Sequence, residues 1–130
     1  IQPPYSNDET TADKLFDFKI KKLNECNKSI DVIVLPEYSD VPVVTDTEEA
    51  TLRLHEKYFD KLYKTCVETA KRCDSVVFFN ALEKINDKYR NTTYCLNRNG
   101  ELVGKYYKRH IPAGEKSPLS NILYISFSLL

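Results

Sequence analysis

The sequence predicts an α/β domain built on a mixed sheet. Two short runs, Val32-Ile33-Val34-Leu35 and Val76-Val77-Phe78-Phe79, show no polar alternation, the pattern of strands buried on both faces. A long stretch between them carries apolar residues at helical spacing. Asn99-Gly100, between two further strand-like runs, is the strongest short-range signal for a hairpin. Helix, strand, helix, strand and hairpin in that order give helices layered on a sheet with parallel and antiparallel pairs.

Thr10 or Thr11 is placed to cap a first helix that runs to about Cys26. Leu15, Phe18 or Ile20, and Leu23 recur at helical spacing, with lysines on the other face. The strand over residues 32–35 ends at Pro36, which cannot donate to a sheet ladder. Residues 38–44 form a loop containing Pro42. Thr45-Asp46-Thr47-Glu48 has capping-box spacing, with Thr45 as N-cap and Glu48 reaching back. The helix that follows runs to about Cys73. Its stripe is Leu52, His55, Phe59, Leu62, Cys66 and Ala70, widened by Tyr58, Tyr63 and Val67. Residues 75–80 are a second strand and residues 88–97 a third. Asn97-Arg98-Asn99-Gly100 turns the chain into an antiparallel return over residues 101–107. Residues 120–130 (Ser-Asn-Ile-Leu-Tyr-Ile-Ser-Phe-Ser-Leu-Leu) are apolar and uncharged after a strongly charged chain. They read either as one more strand or as sequence foreign to the domain before them.

A chain of 130 residues is at most one domain. At this size roughly two thirds of the unfolded surface can be buried. Hydrophobic residues at 42% and charged residues at 29% are ordinary for a globular chain. Lys plus Arg and Asp plus Glu each number 19, so neither a basic excess for nucleic acid nor an acidic solvating tail is present. The 9 tyrosines, lacking a basic patch, read as packing rather than a base-stacking platform. No apolar stretch reaches the ~18 residues of a membrane span, and Ile1-Gln2-Pro3-Pro4 has no signal-peptide pattern. Cys26, Cys66, Cys73 and Cys95 show no Cys-x-x-Cys spacing. With His55 and His110 the only histidines, zinc is poorly supported and neither metal nor cofactor is expected. The default setting is the reducing cytoplasm. The sequons at Asn27 and Asn91 weigh little without a secretion signal. The chain contains no methionine, so Ile1 is expected not to be the natural start, and the sequence to be a fragment.

Glu37 closes the first strand and Lys108 follows the return strand, which is where α/β folds collect functional groups. Three stretches here resemble the nitrilase, or carbon–nitrogen hydrolase, superfamily. Ile1-Gln2-Pro3 resembles the end of that family's first strand. The run from Val32 through Leu35-Pro36-Glu37 resembles its strand ending in Pro-Glu. Asn91 to Glu115, with Gly104-Lys105-Tyr106-Tyr107-Lys108-Arg109-His110 in register, resembles its hairpin and lysine. The resemblance covers residues 1–119 and fails in residues 120–130.

The resemblance implies an α-β-β-α sandwich, incomplete in this chain, and a Glu-Lys-Cys site. By motif, Glu37 matches the general base, Lys108 the lysine and Glu115 a second, positioning glutamate. The family's nucleophilic cysteine follows the lysine, whereas no cysteine follows Cys95 here. The implied activity is hydrolysis of a non-peptide C–N bond in a small amide, carbamoyl compound or nitrile, with the chain ending before its nucleophile and inactive alone. Homo-oligomerisation of the full-length protein is also implied, with no nucleic-acid or membrane partner. The chemistry suits these residue types. A thiolate is the nucleophile, a carboxylate takes its proton, and a fixed ammonium stabilises charge that develops on the substrate. Two other readings stay open: a non-catalytic α/β binding module, and an acyltransferase branch of the same fold with an amine as acceptor. Of the remaining residues, His110 reads as structural, His55 as half-buried on its helix, and Cys66 and Cys73 as core.

Overall fold

The computed structural model describes residues 1–109; Glu115, His110 and residues 120–130 lie outside the described residues. A 3₁₀ turn, Glu9–Thr11, leads into helix α1, Ala12–Glu25. Strand β1, Val32–Val34, is followed by helix α2, Glu48–Cys73, and then by strands β2, Val76–Ile85, β3, Lys88–Leu96, and β4, Leu102–Tyr107. The sheet order is β1-β2-β3-β4, with β1 parallel to β2 and the other pairs antiparallel. This is the mixed α/β arrangement that the strand and helix patterns predict.

Helix α1 buries Ala12, Leu15, Phe16, Lys19 and Leu23. That stripe differs from the expected one at its centre. Phe18 and Ile20 are only half-buried, and Lys19, expected on the wet face with the other lysines, is 1% exposed. Thr11 is the N-cap but makes no side-chain cap bond; Asp8 instead accepts from the Thr10 amide at 2.9 Å. Helix α2 starts two residues later than the expected capping box. Thr47, not Thr45, is its N-cap, accepting from the Ala50 amide at 3.2 Å, while the Thr45 and Thr51 hydroxyls pair at 2.5 Å. Lys71 and Arg72 in its last turn complement the helix dipole.

Helix α1 packs on α2 through Phe16 stacked on Tyr58, ring centroids 4.3 Å apart. Helix α2 meets the sheet through Tyr63 against Phe79 and Phe59 against Tyr94. Leu23, Leu62, Cys66, Ala70, Val77, Phe79 and Leu96 are fully buried in one continuous core. Strand β1 is not doubly buried as its composition suggests. Ile33 points into the core, but Val32 and Val34 are 52% and 54% exposed, because among the described residues the helices cover only one face.

Strand β2 runs five residues past Asn80 and pairs with β3 up to Ile85–Lys88. The intervening Asn86 and Asp87 both have positive φ, 49° and 61°, as a tight hairpin turn requires. Without glycine this turn gives a weak sequence signal. The second turn is signalled by Asn99-Gly100. Asn97 caps it, its Oδ1 accepting from the amides of Asn99 and Glu101, and Gly100 has φ 72°. A Cβ on Gly100 would lie 2.9 Å from the Val67 carbonyl oxygen and 3.0 Å from Val67 Cγ1. Left-handed strain and this clash with the α2 backbone together predict that Gly100→Ala costs about 2 kcal/mol. Urea denaturation checks it; an unchanged midpoint would show that the turn relaxes freely.

Candidate active site

The two residues singled out at strand ends meet. Glu37 Oε1 accepts from Lys108 Nζ at 2.7 Å, across 71 positions of sequence. Each is placed by the sheet. Strand β1 delivers Pro36-Glu37, and the Leu35 amide bonds the Phe78 carbonyl at 2.9 Å. Beyond β4 the ladder continues through the Lys108 amide to the Asn91 carbonyl at 2.9 Å. The side chains are 51% and 23% exposed, so the ion pair contributes at most about 1 kcal/mol to folding.

A third residue completes the constellation. Asn91 Nδ2 donates to the same Glu37 Oε1 at 2.6 Å. Asn91 Oδ1 accepts from Asn80 Nδ2 at 2.5 Å, and Asn80 also donates to Thr93 Oγ1 at 3.1 Å. Asn80 Oδ1 accepts from the Tyr38 amide at 2.8 Å, and the Asn80 carbonyl accepts from the Ser39 amide at 2.8 Å. Asn80 and Asn91 are 8% and 5% exposed. The two strands therefore clamp the turn that follows Glu37 and orient its carboxylate by a bridged pair of amides. Sequence reading missed both. The available signal was a buried amide breaking the apolar run 76–79, with a second amide on the neighbouring strand. The Asn91 sequon is accounted for: its amide is buried and engaged.

The cysteines do not complete the site. Cys66 and Cys73 are buried in the helix–sheet core, and burial pushes the Cys66 thiol up to about 12. Cys26 lies at the end of α1, bonded to the Lys22 carbonyl. Cys95 lies four positions from Asn91 along β3, roughly 13 Å at strand rise. Its thiol is also raised by burial, the wrong direction for a nucleophile.

A cavity of about 770 Å³ opens beside Glu37, walled by Pro3, Tyr5, Val41, Val43, Leu82 and Tyr89. Under it lies a buried polar group that the sequence did not announce. Asp40 accepts from His55 Nδ1 at 2.6 Å and from the Leu82 amide at 3.0 Å. His55, expected to be half-buried, is 9% exposed. Lys19 Nζ donates to the Ser39 carbonyl at 2.5 Å. Burial depresses the Lys19 ammonium to about 8, with the nearby Asp40 charge opposing the drop.

Comparison with known proteins agrees with the fold. The family model described as carbon-nitrogen hydrolase matches residues 8–124. No curated protein matches the chain in sequence. Among solved structures, a carbon-nitrogen hydrolase from Helicobacter pylori superposes with a TM-score of 0.68 at 19% identity, covering 92% of this chain and 42% of that one. An amidase from Nesterenkonia sp. AN1 gives 0.64 at 11% identity, covering 95% and 48%. The Caenorhabditis elegans NitFhit protein gives 0.63 at 17%, covering 85% and 27%. The chain thus spans less than half the length of each of these structures, and its sheet and helices are an incomplete portion of their fold. With a family match over most of its length, this chain belongs to the carbon–nitrogen hydrolase family.

Proposed function

We propose that this chain carries the base and the charge-stabilising lysine of an amidase-type hydrolase, acting on a small amide, carbamoyl compound or nitrile. The observation that carries the reading is the convergence of Lys108 and Asn91 on one oxygen of Glu37. With Oε1 held by these two donors, Oε2 is the oxygen we assign to the thiol proton.

The steps then follow from the residues. Glu37 takes the thiol proton, and the sulfur attacks the carbonyl carbon. Negative charge collects on the carbonyl oxygen, where the Lys108 ammonium stabilises it. The C–N bond breaks as Glu37 returns the proton to the leaving amine, leaving a thioester. Glu37 then draws a proton from water, which displaces the thiol and releases the acid. A nitrile would pass through a thioimidate instead. The nucleophile we assign is a cysteine beyond this sequence, as the Nesterenkonia amidase, which has an active-site cysteine, suggests by analogy. Glu115 is retained as a positioning glutamate by motif alone.

The chain alone should not turn over small amides or nitriles. Steady turnover abolished by Cys95→Ser would show that the nucleophile has been misassigned. In a protein extended from the source gene through a cysteine downstream of Leu119, Glu37→Gln should lower kcat/KM roughly 10²–10⁴-fold. Activity indifferent to that change would leave the binding-module reading in its place.

A further inference from the structure

We propose that Lys19, Asp40 and His55 form a positioning device, a buried charged strut that fixes the turn presenting Glu37 from beneath; this rests on the reading of Glu37 as the base. The turn has two sides. On the sheet side it is tied to Asn80 by the Tyr38 and Ser39 amides. On the helix side Lys19 reaches it from α1, its Nζ donating to the Ser39 carbonyl at 2.5 Å. Tyr38 sits at φ 52°, a left-handed conformation that needs the surrounding structure to hold it. Ser39 Oγ closes the turn on the Pro36 carbonyl at 2.6 Å.

A lysine on the core stripe of α1 is expensive, and a Leu or Met there would fill the same space without burying a charge. The fold accommodates it by burying a carboxylate next to the turn. Asp40 is 0% exposed, and its Oδ2 is used by His55 and Leu82. Its Oδ1 is buried with no hydrogen-bond partner among the described residues, so the Lys19 charge is what balances it. The bonds to Leu82 on β2 and to His55 on α2 fix Asp40 in space. Asp40 follows directly on Ser39, so α1, α2 and β2 all converge on the segment behind Glu37. Apolar packing could not aim a carbonyl and a carboxylate in this way.

The test compares Lys19→Met with Leu62→Ala, a core truncation in α2 that leaves all three charged groups in place. If Lys19 positions the turn, amide hydrogen exchange at Tyr38 and Ser39 will be about tenfold faster in Lys19→Met than in Leu62→Ala. The Asn91 side-chain amide signal in ¹H–¹⁵N spectra will also move in Lys19→Met, toward its place in Glu37→Gln, and stay put in Leu62→Ala. Equal exchange in the two variants, with the Asn91 signal unmoved, would show that Lys19 only adds or removes stability. Should Lys19→Met not fold, the Lys19→Met/Asp40→Asn pair, which removes both charges, gives the same readouts; failure of that pair to fold also overturns the proposal. None of these measurements needs turnover, so they stand apart from the hydrolysis assay that tests Glu37 as the base.

Discussion

An Asp40→Ala chain will lose about 3–5 kcal/mol of unfolding free energy, the cost of breaking a buried charge pair from one side. Three defects appear together. The Leu82 amide loses its acceptor, His55 Nδ1 loses the carboxylate 2.6 Å away, and Lys19 keeps a buried charge with nothing to balance it. Domains of this size hold ~5–15 kcal/mol in all, so the variant will sit near the edge of folding. Urea denaturation reads the loss as a midpoint lower by roughly 2 M at an ordinary m-value. Asp40→Asn should fall between, since an amide oxygen in the place of Oδ2 still accepts both bonds but carries no charge. In Lys19→Met/Asp40→Ala the losses should not add, because the second change removes the charge that the first leaves stranded. Strict additivity would mean that the two groups do not interact. A midpoint shift in Asp40→Ala no larger than that of a surface substitution would remove the strut from any account of this fold.

How much of this was legible in the sequence depends on which physics writes the signal. Apolar periodicity and Asn-Gly turn chemistry act locally, so α2, β3 and the second hairpin could be read directly. The Asn86–Asp87 turn could not, because two non-glycine residues with positive φ are selected by the pairing of β2 with β3 and not by local preference. The start of α2 was misplaced because Thr45 and Thr47 are both competent caps, and only the surrounding loop decides between them. Exposure of Val32 and Val34 depends on what covers the second face of the sheet, which strand composition does not encode. In the site, Glu37 and Lys108 were legible because each ends a strand, and their motif carries them. Asn80, Asn91, Lys19 and Asp40 were not, because buried polar residues earn their place through partners far away in sequence. Lys19 shows the limit most plainly: on a helical wheel it is one more lysine, and only the position of the Ser39 carbonyl makes it a core residue.

The same lysine predicts an unusual dependence of stability on pH. In the folded chain burial brings the Lys19 ammonium down to about 8 from 10.5, the value it recovers on unfolding. Below pH 8 both states hold the proton, and the folded state bears the whole cost of a buried charge. Between about 8 and 10.5 the folded chain has released its proton while the unfolded chain still binds one. Stability therefore rises with pH across that window, by about 3 kcal/mol in total from this group. Lys19 is 1% exposed, so solvent screening takes little from the figure. The bond to Ser39 survives, since a neutral amine still has N–H groups to donate. Tyr58 and Tyr94 work the other way. Burial raises both hydroxyls, so the stability they contribute falls as unfolded tyrosine begins to ionise near pH ~10. The buried Cys66 thiol, raised to about 12, opposes the rise too, and its charge is coupled to Lys19. Subtracting the stability of Lys19→Met at each pH, with both chains carrying Cys66→Ser, cancels the tyrosines and leaves the lysine. The difference, Lys19 chain minus Lys19→Met chain, should climb steadily from pH 8 upward in urea denaturation. A flat difference would mean that Lys19 stays charged in the folded chain throughout, and that Asp40 offsets its burial far more completely than the geometry of a single unpaired oxygen allows.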